Sequence, residues 1–283
     1  MRRHSVQCVS PLGLHRMSYL EWGNPRNPRV LVCVHGLTRN ARDFDFLAQA
    51  LSEHYRVVCP DVVGRGESDW LKSPAGYTVP QYVADMVTLI ARLDVDSVDW
   101  VGTSMGGLIG MALAAQEGTP VRKLVLNDVG PVITAESLRR IGEYVGRAPE
   151  FPSLEAAETY VRKVSESFGE HTAAQWRHLT EHSVQAIGNL FRLRYDPAIG
   201  DAFRSTPMIT DMSLWPIYDT IKSPTLVIRG ALSDLLTAET FAEMARRGPM
   251  AKVVEIPAVG HAPTLFSSAQ IDVVRDFLLG GTA

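Results

Sequence analysis

Short apolar runs separated by segments of helical periodicity set the pattern of this chain. Runs apolar on both faces, such as VLVCV, are typical of a parallel sheet that helices cover on both sides. The runs that predict strands span residues 30–34, 55–59, 98–101, 124–126, 225–228 and 252–256. Their alternation with helical segments predicts an α/β fold with a mostly parallel central sheet flanked by helices.

Three further elements are predicted from the segments around these strands. Residues 8–9 and 14–21 indicate an antiparallel edge hairpin at the start of the chain. Thr78 and Gln81 form a T-x-x-Q capping box, which predicts a helix that begins near residue 79. A similar signal at Ser267 predicts the last helix.

The strand rhythm stops between residues 130 and 216, where no strand is predicted and aromatic residues are scattered along helical stretches. We therefore predict a helical cap over 130–216, inserted into a core domain of 1–129 and 217–283. An insertion between two strands should cover the carboxyl edge of the sheet, where open α/β folds bind ligands. Two of its aromatic residues, Trp176 and Trp215, are predicted to contact the substrate.

The composition and net charge of the chain limit the classes of partner that it is expected to bind. The 283 residues suit one large domain with an insertion, and the net charge of −3 without a long basic run predicts no nucleic-acid partner. No window approaches the roughly 18 apolar residues of a spanning helix, so no membrane contact is predicted. The chain has three cysteines, an odd number, and its N-terminus lacks a signal-peptide pattern. Both features favour a cytoplasmic location. The expected partner is a small molecule, and the oligomeric state stays open.

A G-x-S-x-G sequence carries the first chemical signal. Ser104 lies between Gly102 and Gly106, directly after a predicted strand and before an apolar helix. In such an elbow the flanking chain passes too close for side chains, which requires glycine at both positions. We therefore predict that Ser104 is a nucleophile.

A serine hydroxyl needs a base, and a base needs an orienting acid. His261 lies on a loop after the last predicted strand and is the predicted base. Asp234 follows the strand TLVIR and is the predicted acid. Asp128, which ends KLVLND, is the second candidate, although a structural role in the turn into the cap explains it more simply.

Another motif, His178-x-x-Glu181-His182, matches H-x-x-E-H, which can bind zinc on a helix. The sequence shows no third ligand, so we predict a solvated helix there and no metal site.

With these motifs the chain resembles the α/β-hydrolase superfamily of esterases, lactonases, carbon–carbon bond hydrolases and cofactor-free haloperoxidases. The loop at 35–38, HGLT, and the loop at 61–68, DVVGRGES, match the family as well. The resemblance implies that the backbone N–H groups of Leu37 and Met105 form the oxyanion hole. It also implies that the second loop supports the site and that no cofactor or metal takes part.

We therefore expect a serine hydrolase that cleaves carboxylic esters of small to medium apolar acyl groups. Lactone opening, carbon–carbon cleavage and perhydrolysis use the same three residues and remain alternatives. Carbon–carbon hydrolases of the family often carry an aromatic residue where Ala262 follows the histidine here. A ligand receptor on the same fold is the alternative of a different class.

Overall fold

The computed structural model describes residues 1–205 and 210–280. The strands, in chain order, are β1 (Arg2–Ser10), β2 (Gly13–Trp22), β3 (Val30–Val34), β4 (Arg56–Pro60), β5 (Val98–Thr103), β6 (Val121–Asn127), β7 (Val132–Ile133), β8 (Glu150–Phe151), β9 (Val184–Ile187), β10 (Leu190–Leu193), β11 (Met212–Ser213), β12 (Thr225–Gly230) and β13 (Lys252–Ile256). The α-helices are α1 (Asp45–Leu51), α2 (Val79–Leu93), α3 (Met105–Ala114), α4 (Ala135–Tyr144), α5 (Leu154–Val164), α6 (Ala173–Ser183), α7 (Asp201–Ser205), α8 (Trp215–Tyr218), α9 (Ala238–Met244) and α10 (Ser268–Leu279).

The central sheet has eight strands in the order β1-β2-β4-β3-β5-β6-β12-β13. Pairing is parallel from β4 through β13, and β1 and β2 form an antiparallel hairpin at the edge. The predicted fold class is therefore confirmed. The bounds of each predicted strand differ from those of an observed strand by at most a few residues. All the carboxyl ends of the parallel strands meet at one edge, where the functional residues lie.

Alternation along the buried strands divides the core into two layers. In β3, Leu31 and Cys33 face a layer that contains α1 and α10. Val30, Val32 and Val34 face the opposite layer, which contains α2 and α3. Because successive side chains of a strand point to opposite faces, an apolar strand of this kind needs helices on both sides.

The two predicted helix starts carry the expected N-caps. The Thr78 hydroxyl accepts a hydrogen bond from Gln81 N at 3.4 Å, and Ser267 Oγ accepts one from Gln270 N at 3.3 Å. The Gln81 side chain, however, does not return to Thr78, as a capping box requires. It donates to Val9 O at 2.9 Å and so ties α2 to the edge hairpin.

The inserted segment contains strands as well as helices, so the prediction of no strand there was wrong. β8, β10 and β9 form a three-stranded sheet, and β7 pairs with β11. These strands have two to four residues, which is too short for a clear alternation of polar and apolar positions. We use the name cap for 130–216, and its boundaries stay a prediction, as do those of the core. Residues 206–209 and 281–283 lie outside the described residues.

Across 1–205 and 210–280, none of the helices combines the length and apolar character that crossing a membrane requires.

Candidate active site

Ser104 occupies a strained turn between β5 and α3. Its backbone has φ 53° and ψ −115°, a conformation that non-glycine residues rarely adopt and that clusters at functional sites. A Cβ on Gly102 would lie 2.2 Å from the carbonyl oxygen of Gly106, and one on Gly106 would lie 1.9 Å from that of Val34. Both glycines are therefore required, for the reason that the sequence pattern suggested.

The side chain of His261 connects Ser104 to a carboxylate. Its Nε2 lies 2.9 Å from Ser104 Oγ, and its Nδ1 lies 2.7 Å from Asp128 Oδ2. A hydrogen that the carboxylate fixes on Nδ1 leaves Nε2 free to accept the serine proton. This geometry is the one in which a histidine acts as base toward a serine.

The carboxylate of Asp128 is fully buried and held from several sides. Its Oδ1 accepts a hydrogen bond from the backbone N–H of Gly230 at 2.8 Å, and its Oδ2 accepts one from Ser233 Oγ at 2.6 Å. Together with His261, these donors satisfy a buried charge that would otherwise be costly. The acid is therefore fixed in place before any substrate binds.

The prediction that Asp234 orients the histidine was wrong. Its side chain is 54% exposed, and its Oδ1 accepts a hydrogen bond from Arg140 Nη2 of the cap at 3.0 Å. Two features explain the difference. β6 lies directly beside β5, so Asp128 emerges next to the serine, and a positive φ of 54° turns the chain at that point. In the loop after β12 it is Ser233, not Asp234, that faces inward.

Two residues that hold the histidine loop were not found from the sequence. Asn127 Nδ2 donates to Pro263 O at 2.8 Å, on the loop that carries His261. Ser167 of the cap donates through Oγ to His261 O at 2.7 Å, and its backbone carbonyl oxygen accepts a hydrogen bond from Gly260 N at 2.6 Å. A lone serine or asparagine far away in the chain gives no sequence signal for such a contact.

The predicted oxyanion donors, Leu37 and Met105, flank Ser104. Leu37 borders the same cavity as Ser104, and Met105 is the first residue of α3. Neither backbone N–H has an acceptor within the part of the chain that the structure describes. The N-terminus of α3 adds a partial positive charge at this position. Their role as donors stays a prediction.

The two loops that matched the family pattern brace each other. His35 is buried; its Nδ1 lies 2.7 Å from Gly36 O, and its Nε2 accepts a hydrogen bond from Val62 N at 2.9 Å. Burial lowers the pKa of His35 to about 4, so the ring is neutral at pH 7. Asp61 accepts from Ala41 N at 2.8 Å, and burial raises its pKa to about 6. These contacts fix the chain that leads to Leu37.

Ser104 and His261 open into a cavity of about 140 Å³ between the core and the cap. A cavity of about 150 Å³ holds a benzene-sized group, so this one accommodates a short acyl chain. Its walls combine apolar and aromatic side chains with hydroxyl groups, the guanidinium groups of Arg39 and Arg140, and the carboxylate of Asp43. Residues of the apolar wall include Phe44, Ile141, Tyr144, Tyr160, Leu179 and Phe266.

The predicted substrate contacts by Trp176 and Trp215 were wrong, because neither residue lines this cavity. Trp176 is buried behind the wall, where it packs with Leu179 and Phe266. Trp215 lies under the guanidinium of Arg247, at 4.1 Å from the ring centroid. Trp176 therefore supports the cavity wall from behind, and Trp215 packs against the core.

Comparisons with known proteins identify the family and the reaction class. The family model described as "alpha/beta hydrolase fold" matches residues 29–267. A 3-hydroxybutyrate-oligomer hydrolase from Cupriavidus necator is 54% identical in an alignment 283 positions long, which covers 97% of this chain and 97% of the relative.

Two solved structures extend the likeness over almost the whole chain. A protein of Rickettsia typhi has a TM-score of 0.93 at 33% identity and covers 100% of both chains. An α/β hydrolase from Novosphingobium aromaticivorans has a TM-score of 0.85 at 35% identity and covers 98% of both. The prediction of an ester hydrolase is confirmed at the level of reaction class. This chain belongs to the α/β-hydrolase fold family.

Proposed function

We propose that this protein hydrolyses the ester bonds of short 3-hydroxybutyrate oligomers through a serine acyl-enzyme. The observation that carries the proposal is the hydrogen-bonded series of Ser104, His261 and Asp128 that opens into a small cavity. The substrate class comes from the Cupriavidus necator relative, which is named for it.

Each residue of the series has one task in the acylation step. Ser104 Oγ attacks the ester carbonyl carbon while His261 Nε2 takes the hydroxyl proton. Asp128 stabilises the imidazolium that results, and the N–H groups of Leu37 and Met105 donate to the oxyanion. Collapse of the tetrahedral intermediate breaks the bond to the alcohol oxygen, which receives the proton from Nε2.

Water completes the reaction. His261 Nε2 takes a proton from water, whose oxygen attacks the acyl carbon bound to Ser104. The second intermediate releases the carboxylic acid and returns the proton to Ser104 Oγ. In a 3-hydroxybutyrate oligomer, the departing alcohol is the 3-hydroxyl of the neighbouring unit, so both products carry a hydroxyl group and a carboxyl group.

The cavity suits an acyl group of this kind. A 3-hydroxybutyryl unit has four carbons, is largely apolar and adds one hydroxyl, and the wall combines aromatic rings with serine hydroxyls at 165, 167 and 183. Arg140 lines the cavity while 40% of its side chain is exposed, so it lies at the rim. We propose that a terminal carboxylate of the oligomer binds there.

The cytoplasmic location stays a prediction.

A substrate series tests the proposal. Purified protein is assayed with the 3-hydroxybutyrate dimer and trimer, p-nitrophenyl butyrate, a γ-lactone and a β-diketone, with Ser104→Ala as control. We expect the highest kcat/KM on the oligomers, with 3-hydroxybutyrate as product. Turnover of the p-nitrophenyl ester alone would keep the mechanism and reject the substrate. Preference for the lactone or diketone would select one of the alternative reactions, and binding without turnover would select the receptor.

A further inference from the structure

Helix α6 of the cap brings two histidines to a carboxylate of the core. His178 and His182 are one helical turn apart, and their ring centroids are 4.6 Å from each other. Asp45, the first residue of α1, has Oδ2 at 3.6 Å from His178 Nε2. One ligand atom from each of the three lies within 4.8 Å of the others. Folding therefore supplies the third ligand that the H-x-x-E-H sequence did not show.

One carboxylate oxygen of Asp45 has no partner in the part of the chain that the structure describes. The residue is 7% exposed, and its Oδ2 pairs with Arg42 Nε at 2.6 Å. Its Oδ1 is buried and has no hydrogen-bond partner among residues 1–205 and 210–280. A buried carboxylate oxygen without a partner is costly, and a bound cation is one way to satisfy it.

We infer that His178, His182 and Asp45 bind a transition-metal ion of the Zn²⁺ or Ni²⁺ class. Two imidazole nitrogens and one carboxylate oxygen are a usual donor set for zinc, and three protein ligands leave a fourth position for water. His178 Nε2 lies 3.1 Å from Arg42 O, to which it donates when it carries the proton. Coordination through Nε2 places that proton on Nδ1.

This site binds a metal without the chemistry of H-x-x-E-H enzymes. Those enzymes use the glutamate as general base beside the metal. Here Glu181 is 46% exposed and pairs with Arg177 at 2.9 Å on the solvent side of the helix. The metal would consequently act as a bridge between the cap and the core.

Such a bridge adjoins the catalytic cavity. Asn40 Nδ2 of the core donates to His182 O at 2.7 Å. The next residue, Ser183, accepts a hydrogen bond from Arg39 at 2.8 Å, and both Ser183 and Arg39 line the cavity. We therefore expect a bound ion to restrain α6 against the core and to lower turnover.

The other cluster of possible ligands in the described residues fits a structural role better. It consists of Cys8, His15 and Asp85, all buried. Both carboxylate oxygens of Asp85 already have partners, His15 Nε2 at 3.0 Å and Gln81 Nε2 at 2.8 Å. These contacts hold the edge hairpin to α2. We therefore expect one metal site.

Calorimetric titration of chelator-treated protein with ZnCl₂, repeated with NiCl₂, tests the inference. The variants are His182→Ala and Asp45→Asn, with His54→Ala, an exposed histidine outside the cluster, as the matched control. Circular dichroism checks the fold of each. We expect one ion per chain, unchanged affinity in the control, and at least about tenfold weaker binding in both site variants, because loss of even a ligand's hydrogen-bond partner costs about 10–100-fold.

Zinc is then added during hydrolysis of p-nitrophenyl butyrate. We expect kcat to fall in the wild type and in His54→Ala, and to stay unchanged in His182→Ala. Two results would overturn the inference: absence of saturable binding below millimolar metal in the wild type, or wild-type affinity in both site variants. Inhibition that persists in His182→Ala would show that the inhibitory ion binds elsewhere and would reject the link between this site and turnover.

Discussion

The core edge that carries Ser104 and the cap that covers it differ in how rigidly each residue is fixed. At the core edge, Asp128 is fully buried and accepts hydrogen bonds from backbone and side chain, and His261 is held between it and Ser104. Where the cap meets the core, Arg140 of the cap and Asp234 of the core form a half-exposed pair. The difference predicts that substitutions at the buried core edge change the reaction itself, whereas substitutions at the half-exposed pair change substrate binding and leave the reaction intact.

The largest effect that tests this division is expected at the two aspartates. Asp128→Asn should lower kcat by about four orders of magnitude, because the histidine then loses its orienting carboxylate. Asp234→Asn should leave kcat near the wild-type value, because its partner is the cap residue Arg140. Steady-state kinetics on one good ester measures both, with circular dichroism as the folding control. Equal losses in the two variants would contradict the division.

A smaller effect is expected at the rim of the cavity. Arg140→Gln should raise KM for the 3-hydroxybutyrate dimer acid by up to about fivefold, since an exposed ion pair contributes about 0.2–1 kcal/mol. The methyl ester of the same dimer has no carboxylate and serves as matched substrate, with KM expected to be unchanged. The kcat of both should stay the same. An equal rise in KM for acid and ester would show that Arg140 maintains the shape of the cap and does not bind the carboxylate of the substrate.

The sequence was sufficient for the features that local chemistry enforces. The glycines at 102 and 106 predict the turn at Ser104, because a Cβ at either position would collide with the backbone. The apolar runs predicted the parallel sheet, because strands that helices cover on both faces contain few polar residues.

The remaining features depend on how distant segments meet. The choice between Asp128 and Asp234 required the strand order, which places β6 beside β5, and the backbone turn at Asp128. The short strands of the cap have too few residues to show a period. Trp176 lies on α6 with its ring behind the cavity wall, and no spacing in the sequence distinguishes that position from one that faces the ligand.

The central claim is that Ser104 is the nucleophile that His261 and Asp128 activate. The most direct measurement is covalent labelling with a fluorophosphonate, with the adduct located by peptide mass spectrometry. The account predicts one adduct per chain, on Ser104, and no adduct in Ser104→Ala. It also predicts slow labelling in Asp128→Asn and wild-type labelling in Asp234→Asn. A wild-type protein that stays unlabelled, or an adduct that persists in Ser104→Ala, would contradict the account.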